Sequence, residues 1–317
     1  MVCIILKWKL LCFIAKIHKL LTQTSENCGI LILIKHHGGI YMDIKNVNRG
    51  SFKYNFLKEV IIKLDFQGVL QAEMENILLK VKPYLKERKF NRYEQKVNNE
   101  IDINVSRGIF ESNAPIKEVR NVIIHSFINE NSGYAIDLST TFICLKVNAT
   151  KYISFEDYSE TFMGIASIYR DTIDFLTIKR FGLRKINFCF VSETKCINRY
   201  FNQRYFDCYD LFKDSQVFAS EKKENFTVDN CKMNLLCGVE QGQLGDSQIY
   251  KVTLDTDIYI DVTEQIENTI FENNEITRLN DKLFAIYADS LTEEFGKMLQ
   301  NDETEWPEDI IGVEKNE

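Results

Sequence analysis

The sequence predicts an α+β protein built on antiparallel β-sheets with about four packed helices. Three observations carry this expectation. Proline is rare, at three residues in 317, while Phe and Tyr number 22 and 14, a composition that favours paired strands. Hydrophobic residues make up 45% and charged residues 27%, which suits a soluble globular chain with a sizeable core. The order of periodicities is strand, helix, strands, helix, then strands and helix again. It points to a single α+β domain over 42–300, composed of two related halves, 50–175 and 176–300.

Phe56 to Phe66 alternates as a strand and stops at Gln67-Gly68. Residues 69 to 89 follow as a helix with Leu70, Met74, Ile77, Leu78, Val81 and Leu85 on one face, and Pro83 weakens its last turns. Glu100 to Val105 reads as a short strand and 106 to 117 as a loop. A meander comes next: Val119 to Ile128, a turn at 129–133, Tyr134 to Leu138, and Thr141 to Val147. Ser154 before Phe155, with Asp157 three residues on, is a helix N-cap. That helix runs to about Asp174 and buries Tyr158, Phe162, Ile165, Ile168 and Tyr169. The strand carrying Arg180 follows at once. Beyond Glu193, Tyr200 to Phe212 is partly helical, and 213 to 230 is polar loop or strand edge. Met233 to Gly238 and Ile249 to Val262 are strands around a turn at 241–248. A closing helix spans 274 to 299, with Ile276, Leu279, Leu283, Phe284, Ile286, Tyr287 and Leu291 on its apolar side.

The two ends differ from this body. Residues 1–41 hold one acid, Glu26, against five lysines, and three of the four histidines, whereas the rest has a net charge of −11. Lys16, His18 and Lys19 interrupt the apolar run before it reaches membrane-spanning length. An amphipathic surface helix fits Leu10, Phe13, Ile14 and Ile17. The favoured reading is upstream sequence translated from a start assigned too early, with initiation at Met42. A purine-rich GGAGG encoding Gly38-Gly39 is the nucleotide pattern expected there. Residues 301–317 form an acidic tail expected to be disordered.

The net charge of −7 excludes general nucleic-acid binding, which draws on surplus Lys and Arg. Nine cysteines in this length do not make a disulfide framework, and no Cys-x-x-Cys occurs. Reduced thiols in a cytoplasmic protein without membrane spans are expected. Gly-x-Gly-x-x-Gly and Gly-Lys-Ser/Thr are both absent from the sequence. His125 alone represents histidine after residue 37, so a Ser-His-Asp or Cys-His arrangement has no natural place. It alternates with Ile123 and Phe127 as an inward or edge residue. Cys189, Cys196 and Cys208 read as core thiols.

The most informative stretch is residues 178–188. Alternation places Arg180, Gly182 and Arg184 on one strand face, with Phe181 and Leu183 on the other. Two guanidiniums beside a glycine form a notch suited to an anion, phosphate or carboxylate, and Asn187 lies beyond on the other face as a hydrogen bonder. The competing reading is an ion-pair ladder against a neighbouring strand. Asp255, Asp257 and Asp261, with Tyr259, share a face of the strand over 252–262. They offer oxygen ligands for Mg²⁺, pairing partners for the arginines, or a solvated surface. The stretch Asn198 to Phe206 alternates arginines with aromatics and suits either base stacking or a core.

These segments together resemble an uncharacterised, sporadically distributed prokaryotic protein family. The resemblance rests on Leu57-Lys58-Glu59-Val60-Ile61, Asp137-Leu138-Ser139 and Tyr152 with Phe155-Glu156. It rests further on an Arg-x-Gly-Leu-Arg-x-x-Asn signature at Arg180, Gly182, Leu183, Arg184 and Asn187. Leu254-Asp255-Thr256-Asp257 and a helix at Leu279-Asn280 to Leu283-Phe284 complete it. It covers about residues 50–300, and the family's histidine is replaced by Phe284 or has moved, which counts against a catalytic role for it. The resemblance implies no assigned reaction. Patchy distribution is often seen for genes of mobile defence or toxin–antitoxin loci. With the missing catalytic motifs, the resemblance implies a non-enzymatic interaction or regulatory protein with a protein partner, an accessory or antitoxin-like component of such a locus. The alternative is a nucleotide- or phosphate-binding enzyme using the arginine pair and the aspartate cluster.

Overall fold

The computed structural model describes residues 48–104, 116–149, 154–206, 218–262, 269–271 and 274–315, and these belong to one compact unit, Ile40–Glu317. The expectations for 1–41 lie outside the described residues. In chain order the elements are β1 (Tyr54–Asn55), β2 (Leu57–Gln67), α1 (Met74–Glu87), β3 (Arg92–Asn104), β4 (Ile116–Asn129), β5 (Tyr134–Leu138), β6 (Phe142–Asn148) and α2 (Phe155–Arg170). There follow β7 (Thr177–Val191), α3 (Thr194–Tyr200), β8 (Ala219–Val228), β9 (Cys231–Leu244), β10 (Ser247–Asp261), α4 (Glu275–Asp289) and α5 (Glu293–Gln300). The short strands β11 (Ile310–Ile311) and β12 (Glu314–Lys315) close the chain. The α+β class with antiparallel sheet is therefore observed, with five α-helices among the described residues.

One 10-stranded sheet organises the molecule, in the order β3-β4-β5-β6-β2-β7-β10-β9-β8, with β11 added on β7. The pairings are antiparallel, and β1 pairs separately with β12. The order reads outward from the central pair β2/β7 in the same way on both sides. Each half gives its first long strand to the centre, crosses by a helix, and returns through a meander whose last strand lies beside the first. Both halves then end in a helix, α2 or α4, that packs on the sheet.

The helices share one face because each strand turns alternate residues to it. Val60, Ile62, Leu64 and Phe66 of β2 meet Phe181 and Leu183 of β7 and Ile258 and Ile260 of β10 in one buried layer. Ile77 and Val81 of α1, Tyr158 and Phe162 of α2, and Leu279 and Leu283 of α4 cover it. A second apolar cluster lies farther along β7 and β10. There Cys189, Val191, Val252 and Leu254 sit under Tyr200 of α3 and Phe295 and Leu299 of α5. Tyr200, Phe201, Tyr205 and Phe206 are buried in that cluster, so the arginine–aromatic stretch is core and not a base-stacking platform.

Local chemistry explains the element boundaries. Ser154 Oγ accepts from Asp157 N at 3.2 Å and opens α2. Gly68 ends β2 with φ +97°, and a side chain there would meet the Phe175 carbonyl, so only glycine fits. The closing helix expected over 274–299 is two helices. Leu291 leaves the helix to bridge Phe201, and Thr292 Oγ1 then accepts from Phe295 N at 3.2 Å as the N-cap of α5. The polar segment 213–230 contains a full edge strand, β8, with its Glu and Lys residues guarding the sheet edge.

The acidic tail is corrected within the described residues. Residues 301–315 fold back, Ile310 pairs with Val191 and is buried, and Tyr200 Oη donates to Asp309 at 2.5 Å. Burial opposes ionisation of Asp309, but the bonds from Tyr200 and Cys196 and the charge of Arg199 outweigh it, holding the carboxyl below its usual range. Buried Ile310 and the bond from Tyr200 to Asp309, not the net charge of the segment, hold it in place. No described helix is long and apolar enough to cross a membrane.

Candidate functional site

Two places gather chemistry: the face of the sheet away from the helices, and a pocket on the helical side at the central seam. Register decides what the first can do. Arg184 opposes Asp257 and Arg180 opposes Asp261 across β7/β10, but the side chains reach diagonally. Arg184 donates Nε and Nη2 to Asp255 at 2.8 and 2.5 Å. Arg180 donates to Asp257 at 3.1 Å, and its guanidinium stacks on the Tyr259 ring at 3.8 Å. Tyr259 lies opposite Gly182. A Cβ on Gly182 would stand 3.1 Å from that of Tyr259, so the tyrosine occupies the space the glycine leaves.

The arginines thus share the open face, but each is closed by a carboxylate. The expected anion site at Arg180, Gly182 and Arg184 is a ladder whose notch is filled. Asn187 points to the opposite, helical side, where it is 3% exposed and donates to the Leu254 carbonyl at 3.2 Å. The expected metal site is corrected as well. Asp255 and Asp257 are taken by the arginines, Asn234 also donates to Asp257 at 3.0 Å, and Asp261 pairs with Lys232. No group of three potential ligands that could hold a metal ion occurs among the described residues.

Because Arg184 is half-exposed, its truncation has a modest expected effect. Arg184→Ala is expected to cost about 1 kcal/mol, as measured by urea unfolding, within the range of exposed ion pairs. A loss several times larger would show that the ladder holds the central strands together.

The rest of the open face follows the same rule. Lys58 pairs with Glu314, Lys63 with Asp65 at 2.6 Å, and Lys146 with Asp137 at 3.2 Å, while Lys251 lies 4.4 Å from the Phe188 ring centre. Between these charges stand the partly exposed Ile61, Phe142, Ile186, Phe188, Phe190 and Leu236.

His125 is buried on the inward side of β4 and shares a 2.8 Å hydrogen bond between its Nδ1 and Tyr93 Oη. Burial, aided by the charge of Lys82, pulls its pKa down and favours the neutral ring. Cys189 and Cys196 are free thiols buried in the core. Burial raises the pKa of both, so neither is a ready thiolate. Cys208 lies outside the described residues.

The seam pocket is the feature that the sequence reading passed over. It measures about 290 Å³ and is walled by Phe52, Leu57, Phe155, Leu283, Phe284 and Tyr287. Lys185, Asn187 and Thr256 form its polar floor. They occupy the inward register of β7 and β10, between Leu183 and Ile258 of the first cluster and Cys189 and Leu254 of the second. Among the described residues no carboxylate lies within ion-pairing distance of Lys185 Nζ, which sits 5.6 Å from the Phe155 ring centre. Burial, reinforced by Arg49, pulls its pKa down to about 7, against the opposing pull of Asp281 and Glu156. The available signal was a lysine in the alternation of Phe181, Leu183, Cys189 and Val191.

No protein-family model matches the chain, and no curated protein matches it. Among solved structures, the chain is similar to a crystal structure described as the di-domain ARO/CYC StfQ from the steffimycin biosynthetic pathway. Identity is 7%, with 78% of this chain and 97% of that chain covered, and the TM-score is 0.16. At that score the likeness carries no argument about fold or function.

Proposed function

We propose that the protein is a non-enzymatic interaction or regulatory protein that receives a protein partner on the open face of its sheet. The make-up of that face carries the reading. Most of its cations are closed on neighbouring carboxylates, Lys251 lies against the Phe188 ring, and partly exposed apolar and aromatic side chains stand between them. A face neutralised in this way gives a polyanion little, because nucleic-acid affinity comes from uncompensated Lys and Arg. Aromatic anchors among satisfied polar groups are what protein interfaces use. The sheet edges favour the face over strand addition, since β3 carries Arg92, Glu94 and Lys96, and β8 carries Glu221 to Glu224. The resemblance of residues 50–300 supports an accessory or antitoxin-like role in a mobile defence locus, and the buried free thiols fit a cytoplasmic setting.

Affinity capture from the native host is the test. The wild-type chain is expected to recover the product of a neighbouring gene. The double variant Ile186→Glu/Phe188→Glu is expected to lose that capture at least about tenfold while remaining folded, judged by its own melting curve. Undiminished capture by the variant, or capture of no neighbouring product, would remove the proposal.

A further inference from the structure

We infer that the seam pocket binds a small monocarboxylate with an apolar body, and that Lys185 is its counter-ion. The argument starts from what is unusual about the position. Lysine is almost never enclosed unless it is paired, yet Lys185 lies in the inward register where its flanking neighbours two residues away are Leu183 and Asn187. The two apolar clusters stop on either side of it, and the space between them is the pocket. Among the described residues this cation has no carboxylate at ion-pairing distance, and Asp281 and Glu156 act on it only from farther off, so an anion brought from outside compensates it best.

Charge selects the valence of that anion. Arg49 is on the rim but closes on Asp281 at 2.6 Å and covers Phe284, so it adds no free positive charge. Glu156 lines the same pocket and repels any anion there, a doubly charged one about twice as strongly. One uncompensated cation calls for one negative charge. Phosphate esters and nucleotides are therefore disfavoured.

Size and shape select the body. A dry apolar cavity of about 150 Å³ accommodates benzene, so a pocket about twice that volume suits roughly ten to twelve non-hydrogen atoms. Phe52, Phe155, Phe284 and Tyr287 would clasp an alkyl chain or a single ring. On the same floor as Lys185, Asn187 keeps one amide N–H beyond its bond to the Leu254 carbonyl, whereas the Thr256 hydroxyl already donates to the Lys185 carbonyl at 3.4 Å. The pocket lies on the opposite side of the sheet from the proposed partner face, so the two assignments stand or fall separately.

Calorimetry of the full chain with octanoate, octan-1-ol and inorganic phosphate tests the inference. Octanoate is expected to bind and raise the melting temperature, with octanol at least about tenfold weaker and phosphate without effect. At pH 8, comparison of buffers with different ionisation enthalpies is expected to show uptake of about one proton per octanoate bound, because the ligand restores the charge on Lys185. Lys185→Met is expected to lose octanoate affinity by about 100-fold while remaining folded, judged by its own melting curve. Lys185→Arg is expected to retain part of it. Equal binding of octanol, undiminished octanoate binding by Lys185→Met, binding without proton uptake, or no octanoate binding at millimolar concentration would each overturn the inference.

Discussion

Lys185→Met is expected to make the ligand-free protein more stable at pH 7, by about 2–4 kcal/mol in urea unfolding. The sign follows from linkage. The folded state holds this ammonium only below about pH 7, whereas an unfolded lysine holds its proton up to its ordinary value. Between those limits the unfolded chain binds the extra proton, so stability rises with pH. Below about pH 7 the cost of enclosing the charge is fully present. Each factor of ten in proton affinity is worth about 1.4 kcal/mol, so the displacement from the ordinary lysine value to about 7 is worth about 5 kcal/mol at full enclosure. Lys185 keeps part of its surface in solvent, which lowers the expected gain toward 2 kcal/mol. Methionine fills similar volume without the charge. In wild type the midpoint is expected to climb between pH 7 and 10, and in the variant that slope is expected to vanish. A variant less stable than wild type at pH 7 would mean that the amine is compensated inside the fold.

A residue that costs stability where it stands is a functional candidate, because selection on stability alone would replace it. Lys185 qualifies on this ground more strongly than the signature arginines do. Arg180 and Arg184 are satisfied on a half-exposed surface and cost the fold little.

Period-two alternation was legible in β2, β5 and β7 but not through most of β3 and β8 or at the ends of β9. The strand over Tyr134–Leu138 coincides with its sequence-read limits, and the central β2 and β7 differ from theirs by a few residues. The repeated order of strand, helix and meander was legible too, as was the common outward face of Arg180, Gly182 and Arg184. Pairing was not. Nothing local indicates that Tyr259 will sit over Gly182, or that Asp255 will reach diagonally to Arg184, since both follow from the β7/β10 register fixed by distant packing. For the same reason the seam pocket was hidden. Leu57, Phe155, Lys185, Thr256 and Tyr287 come from five separate elements, and each looks ordinary in its own segment. The break between α4 and α5 escaped notice because apolar spacing continues through it. Only the contact of Leu291 with Phe201 reveals why the helix stops.

Phe295→Ala is expected to cost about 3–5 kcal/mol and to lower the melting temperature by about 10 °C. Phe295 is wholly buried in α5, a helix of eight residues that is too short to be stable without its packing. Its ring stacks on Phe56 at 5.9 Å and meets Tyr200, Phe201 and Trp306 at 5.1, 5.4 and 6.4 Å between centres. These neighbours lie at the start of β2, in and just after α3, and in the C-terminal segment. No single side chain can move to fill the void, because each is anchored in a different element. The cavity cost therefore adds to the lost transfer energy. Trp306 reports the local consequence: its emission is expected to shift to longer wavelength, and protease is expected to cut within 301–315 before the sheet unfolds. A loss below about 1 kcal/mol would mean that the aromatic cluster collapses onto the gap and that the C-terminal segment is held by Ile310 and Asp309 alone.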